Sequence, residues 1–122
     1  MGKLQSYREL IVWQKAMDLT EEVYCLVKRL PISEQYALSD QLRRAVVSIP
    51  SNIAEGYGRN AGKEYVRFLN IARGSNNEVE TQLLICVRLK YLQEKDIGLA
   101  LGYCDEISKM LNTLIKNLTH DA

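Results

Sequence analysis

Four groups of residues in this chain could do chemistry: a glycine-rich run, a scatter of carboxylates, three cysteines with one histidine, and a set of arginines. Residues 56–62 read GYGRNAG, which brushes against a phosphate-cradling loop. A dinucleotide-binding turn needs GxGxxG after a strand and opening a helix. Here the third glycine comes one place late, with helical sequence on both sides. A turn is the simpler reading, with Gly56 or Gly58 in the left-handed conformation that ends a helix and Asn60 capping the next.

Nucleophilic and metal chemistry have less to work with. The single histidine, His120, lies close to the end of the chain, and no His, Cys and carboxylate set has zinc spacing. The carboxylates Glu55, Glu64, Glu78 and Glu80 lack the Glu-x-x-His pattern that holds two metal ions in a helical bundle. Glu55 and Arg59 stand four apart, the spacing of a surface ion pair on a helix. Cys25, Cys86 and Cys104 fall at or beside helical apolar positions and read as reduced core thiols. No catalytic, cofactor-binding or metal-ligating set is expected. The competing enzymatic reading would place Glu55, Asn52 and Arg43 or Arg44 in one pocket.

Basic residues gather around the middle of the chain as Arg43, Arg44, Arg59, Lys63, Arg67 and Arg73. Arg59, Lys63 and Arg67 are spaced by four and would share a face if a helix starts early enough to hold all three. Such a face, extended by Arg73, could meet the phosphates of RNA or DNA. A solvated face beside Glu55 and Glu64 is the plainer alternative. The net charge of +1 excludes a saturating basic surface.

These residues must be positioned by helices. The 122 residues carry two prolines and are 47% hydrophobic and 25% charged, which fits one soluble domain. No apolar run approaches the ~20 residues of a bilayer span, and MGKLQSYREL has no apolar signal core, so a cytoplasmic location with no membrane partner is expected. Apolar residues recur at spacings of three and four. The stripes are Leu10, Trp13, Met17, Thr20, Tyr24 and Val27; then Leu38, Leu42, Ala45, Val46, Ile49 and Ile53; then Tyr65, Phe68, Leu69, Ala72, Val79, Leu83 and Cys86. A fourth runs through Ile97, Leu101, Cys104, Met110 or Leu111, Leu114 or Ile115, and Leu118. The predicted helices cover roughly 8–30, 34–57, 61–91 and 95–118, with Ser33 capping the second. They form an antiparallel up-down four-helix bundle.

Polar residues on the apolar faces are informative. Asn52 and Asn76 fall within the second and third stripes, flanked by Ser48 and Ser75. Buried without partners they would cost ~1 to 3 kcal/mol each, so they are expected to bond each other or the backbone. Such a polar layer can set register and oligomer state; a small-ligand pocket is the alternative. Ala54, Gly56 and Gly74 are small enough to let helices approach. Pro50 removes an amide donor and clashes with the Val46 carbonyl, so the second helix should kink there, unless Ile49-Pro50 divides two helices.

The strings LIVWQKAMDLTEEVY, QLRRAVVSIPSNIAEGYGR and EYVRFLNIARGSNNEVETQL resemble the bacterial four helix bundle protein family, found as reading frames in intervening sequences of 23S rRNA genes. Arg43, Arg44, Ser48, Pro50, Asn52, Glu55, Gly56 and Arg59 match its central motif. The resemblance implies homopentamers of four-helix protomers. It also implies a distant kinship with the accessory variability protein of diversity-generating retroelements, which works with nucleic acid through a basic surface. The combined expectation is a non-enzymatic, self-assembling binding or scaffold protein. Its expected partners are its own copies, and RNA or DNA or another protein.

Overall fold

The structure, a computed structural model, describes residues 6–59 and 62–120. Four long helices carry the fold: α1 Ile11–Val27, α2 Leu38–Arg59, α3 Gly62–Arg88 and α4 Glu94–His120. Short 3-10 turns at Tyr7–Glu9 and Ile32–Glu34 precede α1 and α2. Among the described residues there is no strand.

The bundle is a closed ring of contacts, α1 to α2 to α3 to α4 and back to α1, with no close approach across either diagonal among the described residues. Along the α2–α3 seam, Gln41 meets Gln82, Ser48 meets Ser75, and Gly56 meets Tyr65 and Phe68. Residue numbers climb on one helix as they fall on the other, so the pair runs antiparallel. Lys15 of α1 with Glu106, and Arg29 just past the end of α1 with Asp96, tie this part of the chain to α4 in the same sense, at 3.3 and 3.2 Å.

The core is aliphatic. Leu19, Leu42, Ile49, Ile53, Leu69, Leu83, Ile97, Ile107 and Leu111 are fully buried, each worth about 1.5 to 3 kcal/mol of transfer from water. The predicted stripe of α2 is buried throughout, and that of α3 throughout except for half-buried Phe68. On α4, Ala100 and Ile107 join the expected Ile97, Cys104 and Leu111 in the core. The α1 stripe is corrected by one residue. Val12, Ala16, Leu19, Val23 and Leu26 face the core, while Met17 and Tyr24 are 40% and 41% exposed. This helix carries two apolar rows side by side, about 100° apart, and the row of smaller side chains is the one that packs inward.

Helix ends also differ from expectation, for backbone reasons. Leu10 is extended (φ −69°, ψ 125°), so α1 begins at Ile11 and not at residue 8. Ser33 lies inside the 3-10 turn and does not cap α2. Glu34 does that work, its Oε1 accepting from the Leu38 amide at 3.2 Å, while its Oε2 accepts from the Tyr91 hydroxyl at 2.8 Å. After α3 the chain reverses through Lys90, held at φ 67°. The Tyr91 amide donates to the Cys86 carbonyl and the Lys90 amide to that of Val87, at 2.9 and 3.0 Å, the paired bonds of a Schellman ending. Asp96 opens α4 by accepting from the Gln93 amide at 2.8 Å. That bond first, and the neighbouring Arg29 second, hold its carboxyl below the usual range.

The glycine turn is not where GYGRNAG placed it. Helix α2 continues through Gly56 and Gly58 to Arg59, and no described glycine has positive φ. Asn60, the expected cap, lies outside the described residues. Gly56 is instead a contact glycine. A Cβ there would stand 2.9 Å from Phe68 Cβ, 3.1 Å from Tyr65 Cδ1 and 3.2 Å from the Tyr65 carbonyl oxygen. Gly74 has open space around it, so it plays no part in helix approach.

The two glycines separate packing from propensity. Gly56→Ala should lower stability by about 1 to 3 kcal/mol, because overpacking outweighs the gain in helix propensity. Gly74→Ala should raise it by up to about 1 kcal/mol. Urea unfolding of both variants measures this, and equal shifts in the same direction would refute the close contact.

Candidate functional site along the α2–α3 seam

Most of the residues singled out in the sequence lie on or beside one seam. At its centre, the Asn52 amide nitrogen donates to the Ser48 carbonyl at 2.8 Å and to Ser48 Oγ at 2.9 Å. Ser48 Oγ in turn shares a hydrogen bond with Ser75 Oγ across the helices at 2.8 Å. Ser75 is buried and the other two are half-buried. The expected polar layer therefore exists between α2 and α3. Asn76 is not part of it: fully buried, it turns toward α4 and donates to the Cys104 carbonyl at 2.9 Å. Two separate polar clasps thus fix α3 against both neighbours.

Sequence reasoning missed a third clasp. Gln82 stands seven residues after Ser75, on the row that faces α2, and its Nε2 donates to Gln41 Oε1 at 3.3 Å. The spacing from Ser75 was the available signal. Gln82 Oε1 and Asn76 Oδ1 are buried with no hydrogen-bond partner.

Gly56 brings a cationic cluster together at one end of the seam. Arg59 ends α2 and Lys63 and Arg67 follow in α3, so they do not share one helix as the spacing suggested. The close approach nonetheless sets both guanidiniums over the Phe68 ring, Arg59 at 5.4 Å and Arg67 at 4.5 Å from its centre. Each is also paired with a carboxylate, Arg59 with Glu55 at 3.0 Å and Arg67 with Glu64 at 3.2 Å. The hydrogen bond from Arg67, then its charge, hold the Glu64 carboxyl below its ordinary range. Beside them Tyr57 and Tyr65 meet edge to face at 6.2 Å, and burial pushes the Tyr65 phenol up. Lys63 is exposed. Arg73 is elsewhere, bonded to Asn112 of α4 at 3.0 Å and to Asn70 at 2.6 Å.

The proposed enzymatic quartet does not converge. Arg43 donates to the Gln35 carbonyl at 3.2 Å and Arg44 to Asp40 at 3.0 Å, while Asn52 turns to Ser48 and Glu55 to Arg59. Pro50 is buried inside α2 without interrupting it, so Ile49-Pro50 is not a helix boundary. Among the described residues, no three His, Cys, Asp or Glu side chains gather to hold a metal ion, and no helix is long and apolar enough to cross a membrane.

Two of the three thiols are core groups, and one is not. Burial first, and Glu80 second, push Cys104 up to about 12; burial and then Glu34 push Cys86 up to about 11. Cys25 is exposed, which corrects its assignment to the core. A thiol-reactive dye should therefore label one cysteine in the native protein and three after denaturation, because buried thiols that stay protonated react slowly. Mass spectrometry should place the native label on Cys25; rapid labelling of Cys104 would contradict the burial described.

Comparison with known proteins agrees with this architecture. No curated protein matches the chain. Among solved structures, a protein of unknown function from the S23 ribosomal protein family of Bacteroides thetaiotaomicron is 29% identical, with a TM-score of 0.79 over 87% of this chain and 99% of that one. The family model for the 23S rRNA-intervening sequence protein matches residues 8–113. That span takes in the central motif, α1 to α3 and most of α4, and the chain belongs to the 23S rRNA-intervening sequence protein family.

Proposed function

We propose that this protein is a non-enzymatic assembly and binding protein whose first partner is a second copy of itself. The observation that carries the reading is the displaced apolar row of α1. Trp13 and Met17 line a cleft of about 390 Å³ with Val47, Pro50 and Ala54 of α2, and Met17, Tyr24 and Val47 are each about 40% exposed. A second, different set of apolar side chains is exposed on α3, at Ile71, Leu84 and Ile85, and just past its end at Leu89. Two unlike surfaces favour a heterologous contact, which closes into a ring when the rotation allows it. Five copies is the number the family resemblance implies.

Gel filtration with light scattering should give a mass near five times 14.0 kDa, and Val47→Glu should shift it toward the protomer without loss of helical signal. A wild-type protomer mass at every concentration would remove the reading. It would leave assembly with a different protein as the surviving form of the scaffold role.

A second reading, association with RNA or DNA, is favoured by the Arg59, Phe68 and Arg67 cluster with Lys63 beside it. Glu55 and Glu64 offset two of the three cations, so binding should be weak and fall steeply with salt. Polarisation titrations with single-stranded RNA and duplex DNA at low salt test this. Binding that survives replacement of Arg59, Lys63 and Arg67 by Ala, or no binding at all, rejects it.

A further inference from the structure

Gln82 is 8% exposed, its one amide bond is long at 3.3 Å, and its Oε1 is buried without a partner. Turning over both amides of the Gln41–Gln82 pair reverses their bond and strands an amide N–H in the same place, so the defect does not depend on amide orientation. A buried orphan of this kind costs more than the pair's single hydrogen bond contributes.

The surroundings indicate what would satisfy it. Gln82 lines a cleft of about 230 Å³ together with Gln41, Arg44, Ser48, Ser75 and Glu78. Arg44 on α2 and Glu78 on α3 give the two banks opposite charge, and hydroxyls and amides lie between them. Arg44 spends its Nε on Asp40, which leaves its terminal nitrogens; Glu78 makes no ion pair among the described residues. The volume falls below the ~300 Å³ at which drug-sized sites begin, so the occupant is small.

We propose that this cleft binds a small zwitterion of the free α-amino acid class. Arg44 takes the carboxylate, Glu78 takes the ammonium group, and one ammonium N–H is donated to Gln82 Oε1. Gln41 is exposed and weakly held, so its side chain yields to the ligand, whose carboxylate replaces Gln41 Oε1 as the acceptor for Gln82 Nε2. This site is separate from the α1–α2 cleft assigned to assembly, while its Glu78 shares a face of α3 with Ile71 and Ile85.

The test is a titration of the full-length, ¹⁵N-labelled protein with L-glutamine and L-serine, following the side-chain amide signals of Gln41 and Gln82. The expected result is saturable movement of both signals. Roughly tenfold or greater weakening is expected in Glu78→Gln and in Arg44→Gln, and with N-acetyl-L-glutamine and L-glutaminamide, which each lack one charge. Both substituted residues are exposed, so an unchanged melting temperature confirms that the variants are folded. The proposal is overturned by the absence of saturable shifts, by equal binding of the blocked analogues, or by variants that bind like the wild type. The readout does not depend on the oligomer mass, so it fails or succeeds apart from the assembly reading.

Discussion

The contact between Gly56 and the Tyr65–Phe68 turn is the constraint on which the rest of the seam depends. Backbone and side chain approach there so closely that a single Cβ has no room. From that fixed point the antiparallel register follows, because each step along α2 must be matched by a step back along α3. Ser48 then meets Ser75, and Gln41 meets Gln82. A sheet of aliphatic contacts alone tolerates sliding, since one leucine replaces another at little cost. The polar pairs do not, because a shifted register strands buried donors and acceptors. Close contact and polar clasps thus act on different aspects of one interface, the first on distance and the second on register.

Charge plays a smaller part in holding the bundle. Five of the seven ion pairs among the described residues join positions three or four apart on one helix, where an exposed pair contributes only about 0.3 to 0.5 kcal/mol. The other two, Lys15 with Glu106 and, just past the end of α1, Arg29 with Asp96, both lie along the α1–α4 side of the bundle. That interface closes the ring of helices, and neither of its pairs is deeply buried. Local pairing also has a functional consequence. Arg59 and Arg67, which would form part of a basic stripe in a list of residues, are each paired with a neighbouring carboxylate, so the surface there alternates in charge.

Legibility in the sequence followed contrast. On α2 the outward positions include Gln41, Arg44, Ser51 and Glu55, with Val47 as an apolar exception, and against them the apolar stripe had one dominant phase. On α1 a second apolar row with Trp13, Met17 and Tyr24 runs beside the row that faces the core, so two phases competed. The polar layer at Ser48, Asn52 and Ser75 was legible because polar groups interrupt an apolar row at helical spacing. The Gln41–Gln82 pair was not, since glutamine is unremarkable on a helix until the facing residue is known. Gly56 shows the limit most clearly. A glycine that ends a helix and one that admits a neighbouring helix look alike in a single sequence, and only the position of Phe68 in space separates them.

Pro50 connects the seam to the opposite face of α2. Its missing amide leaves the Val46 carbonyl without its helical donor, and the nearest replacement is the Thr20 hydroxyl of α1 at 3.5 Å. That hydroxyl has one proton and already donates it to the Ala16 carbonyl at 2.8 Å, so Val46 is left with a weak second contact. The carbonyl therefore turns toward α1, where the Thr20 hydroxyl meets it across the helices, and because Val46 is fully buried no donor from outside the bundle reaches it. In this arrangement the proline does for the α1–α2 interface what the polar clasps do for the α2–α3 seam: it makes one register of packing better than its neighbours.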